Sequence, residues 1–85
     1  MATFTITGAL ERIERVAAIQ AISKSEHHYL AELSEDTTYL VVGDRPDGYK
    51  LIKAHKIGVQ CITDDEFLGM LIDQGWGNRW TMSNN

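Results

Sequence analysis

The apolar positions of this chain come in short bursts, and their period switches repeatedly between that of a strand and that of a helix. The first burst, Thr3 to Ile6, is β-branched and aromatic and predicts a buried strand that stops at Gly8. Ile13, Val16, Ala17, Ile19, Ala21 and Ile22 then recur at helical spacing, predicting a helix over about 11–24. A connection at Ser25-Glu26-His27 leads to an alternating stretch, 28–33, that predicts a short strand. The polar turn Ser34-Glu35-Asp36-Thr37 precedes Thr38-Tyr39-Leu40-Val41-Val42, the strongest strand pattern in the chain, which ends at Gly43. Asp44-Arg45-Pro46-Asp47-Gly48 carries turn chemistry. A second helix is expected over about 49–56, with Leu51, Ala54 and His55 on its apolar side, and it ends at Gly58. A strand at 59–62 follows. Thr63-Asp64-Asp65-Glu66 reads as a capping box for a third helix that carries Phe67, Leu68, Leu71 and Ile72 and runs to about 73.

The predicted order is thus β-α-β-β-α-β-α, an α/β domain whose small, mostly parallel sheet is covered on both faces. Residues 1–74 form the domain, and 75–85 form a tail with two tryptophans, Trp76 and Trp80. There is no internal repeat and no linker.

Composition narrows the function. At 85 residues the chain is one small domain, and 44% hydrophobic content with a single proline argues for a packed globule. Eight basic against twelve acidic residues give a net charge of −4, which excludes a protein that coats nucleic acid through a general basic surface. A local grip on one phosphate remains open. The lone cysteine, Cys61, lies in an apolar run and is expected as a packed core thiol; it excludes an internal disulfide and fits a reducing compartment. No stretch reaches the ~18 apolar residues of a membrane span, and the N-terminus lacks a secretory signal pattern. The expected location is cytoplasmic or nuclear.

Candidate chemistry concentrates where the first strand meets its helix. A strand that turns at Gly8 can present a hydroxyl and free N–H groups to an anion, with Arg15 and a distant lysine to complete the site. Many α/β proteins contain such a turn, so it does not by itself assign a function. His27 and His28 point to opposite faces of an edge strand, lack further ligands at metal spacing, and read as solvated or half-buried side chains. His55 reads as a packing residue, and Asp64, Asp65 and Glu66 as capping rather than acid–base groups. No nucleophile, metal set or nucleotide loop is evident; neither a cofactor nor catalysis is expected.

Five motifs in order then resemble a known family. They are Phe4-x-Ile6-Thr7-Gly8; Ser34-x-x-Thr37-x-Tyr39-Leu40-Val41; Gly48-x-Lys50-Leu51-x-Lys53-Ala54; Ile57-Gly58-Val59; and Asp65-Glu66-Phe67-Leu68. Over about residues 4–72 the chain resembles a BRCT domain, the small module of DNA-repair and replication proteins. It is most similar to the subclass in bacterial NAD-dependent DNA ligases and in the large subunit of the clamp loader replication factor C. The resemblance implies a four-stranded parallel sheet of order 2-1-3-4 flanked by three helices. It also implies a non-catalytic module that holds a 5′ phosphate at a duplex DNA end or nick, with Thr7, Gly8, Arg15 and Lys50 as contacts. Lys53 and Lys56 would extend the positive rim, and all of these would converge at the switch point between the first and third strands. The alternative is a protein-interaction module, binding a phosphopeptide or dimerising, with Trp76, Trp80 and Ile52 as the partner surface. A BRCT fragment of a DNA ligase is a third reading. The chain departs from the family at Glu26 and His27, where a Gly-Gly pair is usual, and at Phe67, where many members carry tryptophan.

Overall fold

A computed structural model describes residues 2–73. Four strands and three helices follow one another as β1 (Thr3–Thr7), α1 (Arg15–Lys24), β2 (His28–Tyr29), β3 (Tyr39–Val42), α2 (Gly48–Ile57), β4 (Gln60–Thr63) and α3 (Asp64–Asp73). All three strand pairings are parallel and the sheet order is β2-β1-β3-β4, as the resemblance implies. Trp76, Trp80 and the predicted 75–85 tail lie outside the described residues.

The sheet is central because its strands bury side chains on both faces. On one, Phe4, Ile6, Val41 and Ile62 meet Ala18, Ala21 and Ile22 of α1 and Phe67 and Leu71 of α3. On the other, Leu40 meets Leu33, Ala54 of α2 and Val59. Phe4 is the hub of the larger cluster: it meets Phe67 and His27 edge-on at 5.0 and 5.1 Å and stacks on Tyr39 at 5.7 Å. Such aromatic pairs contribute roughly 0.5–1.5 kcal/mol each beyond area burial.

Several elements differ from the sequence reading, each for a tertiary reason. The first helix begins at Arg15, not near residue 11, because Asp64 Oδ2 accepts the N–H groups of Glu11 and Arg12, both at 2.9 Å. Those amides are held across the fold, and the loop packs Leu10 and Ile13 against the core instead of coiling. Val16 is consequently 65% exposed, and Ala18, Ala21 and Ile22 face inward. β2 is only two residues long, since its backbone contact to β1 ends when Leu30 N–H reaches Phe4 O. Cys61 is exposed, contrary to the expected core thiol. β4 is an edge strand: Ile62 fills the α1/α3 face, and Cys61 lies on the opposite face, at the open rim beside Val42 and Leu51 of α2. His55 is exposed as well, because the inward stripe of α2 is Leu51, Ala54 and Ile57. The third helix opens as predicted, with Thr63 Oγ1 accepting Glu66 N–H and Glu66 Oε1 accepting Thr63 N–H.

Where the family has paired glycines, Glu26 and His27 adopt no left-handed backbone. Ser25 makes this possible: its hydroxyl donates to Ile22 O at 2.7 Å and accepts His27 N–H at 3.0 Å. His27 is only 8% exposed, more buried than expected, while His28 is exposed. His27 Nδ1 accepts the Ala2 N–H at 2.9 Å, so the ring proton sits on Nε2, which is buried with no partner among the described residues. Burial pushes the His27 pKa down, and the Glu26 carboxylate pulls it partly back.

A depressed histidine pKa means that the unfolded chain takes up a proton before the folded one does. His27 therefore favours folding above about pH 6.5 and costs stability as the pH falls below that value. Urea midpoints should hold level from pH 8 to 7 and decline from pH 6.5 to 5. In His27→Gln, whose amide oxygen can still accept the Ala2 N–H, that decline should flatten; an unchanged slope would assign it to other groups.

Candidate functional site

At the carboxyl end of the sheet the segments leaving β1 and β3 touch backbone to backbone. Ala9 N–H donates to Asp44 O at 2.8 Å and Asp44 N–H to Ala9 O at 2.7 Å, an isolated antiparallel bridge beyond the parallel strands. This approach requires two glycines. A Cβ on Gly43 would lie 2.3 Å from Ala9 O, and one on Gly8 would lie 2.6 Å from Asp44 O, at a φ of +82° that side chains disfavour.

The bridge carries the α2 entry loop back over β1. Thr7 Oγ1 accepts the Asp47 N–H at 3.0 Å, and the Thr7 side chain is 3% exposed. Its hydroxyl proton is left to donate. Asp47 then caps α2: its Oδ1 accepts Tyr49 N–H at 2.9 Å, and its carbonyl accepts Lys50 N–H at 3.1 Å and Leu51 N–H at 3.2 Å. Lys50 follows on the first turn, half-buried. Arg15, the first residue of α1, donates from Nη2 to Ile6 O at 3.2 Å, one residue before Thr7. Thr7, Gly8 and the first turn of α2 are thus brought together by direct bonds, with Arg15 anchored on the adjoining strand carbonyl.

Of the expected rim, Lys53, one turn on from Lys50, donates from Nζ to Leu33 O at 2.8 Å, and Lys56 is exposed on the last turn of α2, about 9 Å along the axis from Lys50.

Three residues at this end of the sheet were not assigned to the site from the sequence. Asp47 orders the first turn of α2; its position just ahead of Gly48-Tyr49-Lys50 is the available signal, an Asp where N-caps are preferred. Asp64 was read as a first-turn acid of α3, yet it holds the loop after β1. Its pKa is pulled down chiefly by the Arg12 amide, with the Glu11 amide adding and partial burial opposing. Next to it Arg12 Nε pairs with Asp65 Oδ1 at 3.0 Å on the open surface, a contact of little energetic weight. Arg45 adopts a φ of +51°, the one non-glycine residue in the left-handed region among those described. The charge at this end is mixed: Glu11, Glu14, Asp44 and Asp47 are exposed alongside Arg12, Arg15 and Arg45.

The arrangement is that of an α/β domain whose tightest contacts are backbone to backbone and whose polar groups converge outside the strand ends. No protein-family model matches the chain. It is similar to segments of DNA ligases: 44% identical over 69 residues to that of Geobacter sulfurreducens, 41% over 73 residues to that of Fervidobacterium nodosum, and 38% over 71 residues to that of Aquifex aeolicus. These matches take in 81%, 86% and 84% of the chain but 10%, 11% and 10% of the ligases. The chain therefore spans about one tenth of the length of the curated relatives it matches, and corresponds to a small DNA-ligase-associated domain. No helix among the described residues is long and apolar enough to cross a membrane.

Removing the close approach should be costly and local. Gly43→Ala is expected to lower the thermal midpoint by roughly 4–24 °C, since overpacking costs ~1–3 kcal/mol. Gly69→Ala, in α3 with nothing near the new methyl, should raise it by a few degrees through helix propensity. Asp64→Ala should destabilise by roughly 1–2 kcal/mol, as loss of a capping carboxylate does. Hydrogen exchange of the Glu11 and Arg12 amides should speed up in that variant, and unchanged protection would remove Asp64 from its assigned role.

Proposed function

We propose that this chain is a BRCT-like, non-catalytic module of the DNA-ligase type that holds the 5′ phosphate of a duplex DNA end or nick. The observation that carries the reading is the Thr7–Asp47 bond, which seats the first turn of α2, and with it Lys50, against the end of β1. Similarity to DNA ligase segments supports DNA as the partner.

Each contact has a physical role in this reading. Thr7 donates its hydroxyl proton, Gly8 offers its backbone N–H, and Lys50 supplies a point charge. Arg15 releases one of its five donors from Ile6 O or uses the others to grip the phosphate bidentately. Asp47 already takes the first amides of α2, so the grip rests on side-chain cations more than on the helix terminus. The net charge of −4 confines attraction to this end of the sheet, which suits recognition of a single phosphate over coating of a duplex. A protein partner in replication or repair is compatible with this reading, as is the role of a BRCT segment within a longer ligase.

Fluorescence anisotropy of a duplex with a recessed 5′ phosphate is the test. Binding should weaken with salt and depend on the phosphate. Lys50→Ala should weaken it roughly 10- to 100-fold, the range for a charge-assisted hydrogen bond. Equal affinity with and without the phosphate at low salt would overturn the reading.

A further inference from the structure

The first turn of α2 carries a large side chain that the fold does not use. Tyr49 is 85% exposed, and Ile52, one turn on, is 56% exposed. Residues three apart share a helix face, so the two form one apolar patch. With Asp47 and Gly48 they line an open depression of about 320 Å³. The backbone that carries Tyr49 is fixed, because Asp47 Oδ1 accepts its amide N–H at 2.9 Å. Its neighbour in the chain is Lys50. Neither side chain is buried in the fold, so the patch stands open to solvent.

We propose that Tyr49, backed by Ile52, is a stacking platform for the base of the nucleotide whose 5′ phosphate is held beside Lys50. The inference rests on the phosphate reading and extends it from the anion to the base. Tyr49 and Lys50 are neighbours in the chain, their Cα atoms about 3.8 Å apart, so a nucleotide whose phosphate is gripped at Lys50 has its base within reach of a ring at Tyr49. A recessed or nicked end exposes the flat face of its terminal base, which an uninterrupted duplex keeps stacked. Tyrosine covers such a face at low entropic cost and keeps its hydroxyl in water. A second copy of the chain fits the patch less well: two side chains present about 300 Å², against ~800 Å² on each partner in a stable dimer. The platform gives the module a reason to prefer a terminus over an internal phosphate, which the cations alone do not supply.

The test places 2-aminopurine at the 5′-terminal nucleotide of the recessed strand and titrates the full chain. Stacking on Tyr49 should quench its fluorescence on binding. Tyr49→Ala should abolish the quench and weaken binding roughly 5- to 150-fold, the span of one base–aromatic stack, while Tyr49→Phe retains both. An abasic terminal nucleotide should weaken the wild type to the level of Tyr49→Ala and leave that variant unaffected. Far-UV circular dichroism of the variant should be unchanged, as the ring packs on nothing. Phosphate-dependent binding that survives Tyr49→Ala with full affinity would overturn the platform and leave the phosphate site standing. Phosphate-independent binding by the wild type would overturn both. A Tyr49-dependent dimer in sedimentation without DNA would assign the patch to a second copy and overturn the platform.

Discussion

Two stretches of backbone that meet with no side chain between them govern the carboxyl end of this domain. The helices that follow β1 and β3 pack on opposite faces of the sheet, so their entry loops should diverge. The Ala9–Asp44 bridge prevents it, and it forms only because Gly8 and Gly43 each lack the atom that would collide. Once the loops are joined, Asp47 reaches Thr7, α2 is capped, and Lys50 is delivered to the strand end. Asp64 completes the frame from the third side by holding Glu11 and Arg12. The polar residues of this region owe their arrangement to a steric permission granted by two glycines.

Electrostatics then decides what the region can do. The chain is acidic overall, and the strand ends mix both signs. Such a surface exerts little pull at a distance, since charges farther apart than about 8–10 Å are screened at physiological salt. Selectivity must come from groups in direct contact with the ligand. That places weight on a few anchored side chains, Arg15 on its strand carbonyl and Lys50 on a capped turn, rather than on a field.

Much of this architecture was legible in the chain. The Thr38–Val42 run and the Thr63–Glu66 box named β3 and the start of α3 because their signals are local: continuous β-branching and a reciprocal cap. The start of α1 was not legible, since Glu11 and Arg12 are kept out of the helix by a carboxylate 53 and 52 positions away. Cys61 and His55 misled for a related reason. Each sits among apolar neighbours in sequence, yet the edge position of β4 and the narrow inward stripe of α2 leave both in water. Thr7, Gly8 and Lys50 could be singled out by motif, but the bond that unites them runs to the amide of Asp47, and backbone amides leave no trace in residue identity.

The placement of β1 has a consequence for how the chain comes to be folded. As an inner strand it pairs with both β2 and β3, and its Phe4 closes on Phe67 of α3. Residues of β1 thus wait for those of α3 before their core is complete. Parallel pairings and contacts this distant in sequence are slow to form, because loop closure costs entropy before the contact returns any. Partial chains would leave β1 with unpaired edges and an uncovered aromatic ring, so this domain has to assemble nearly all at once, after its third helix has been made.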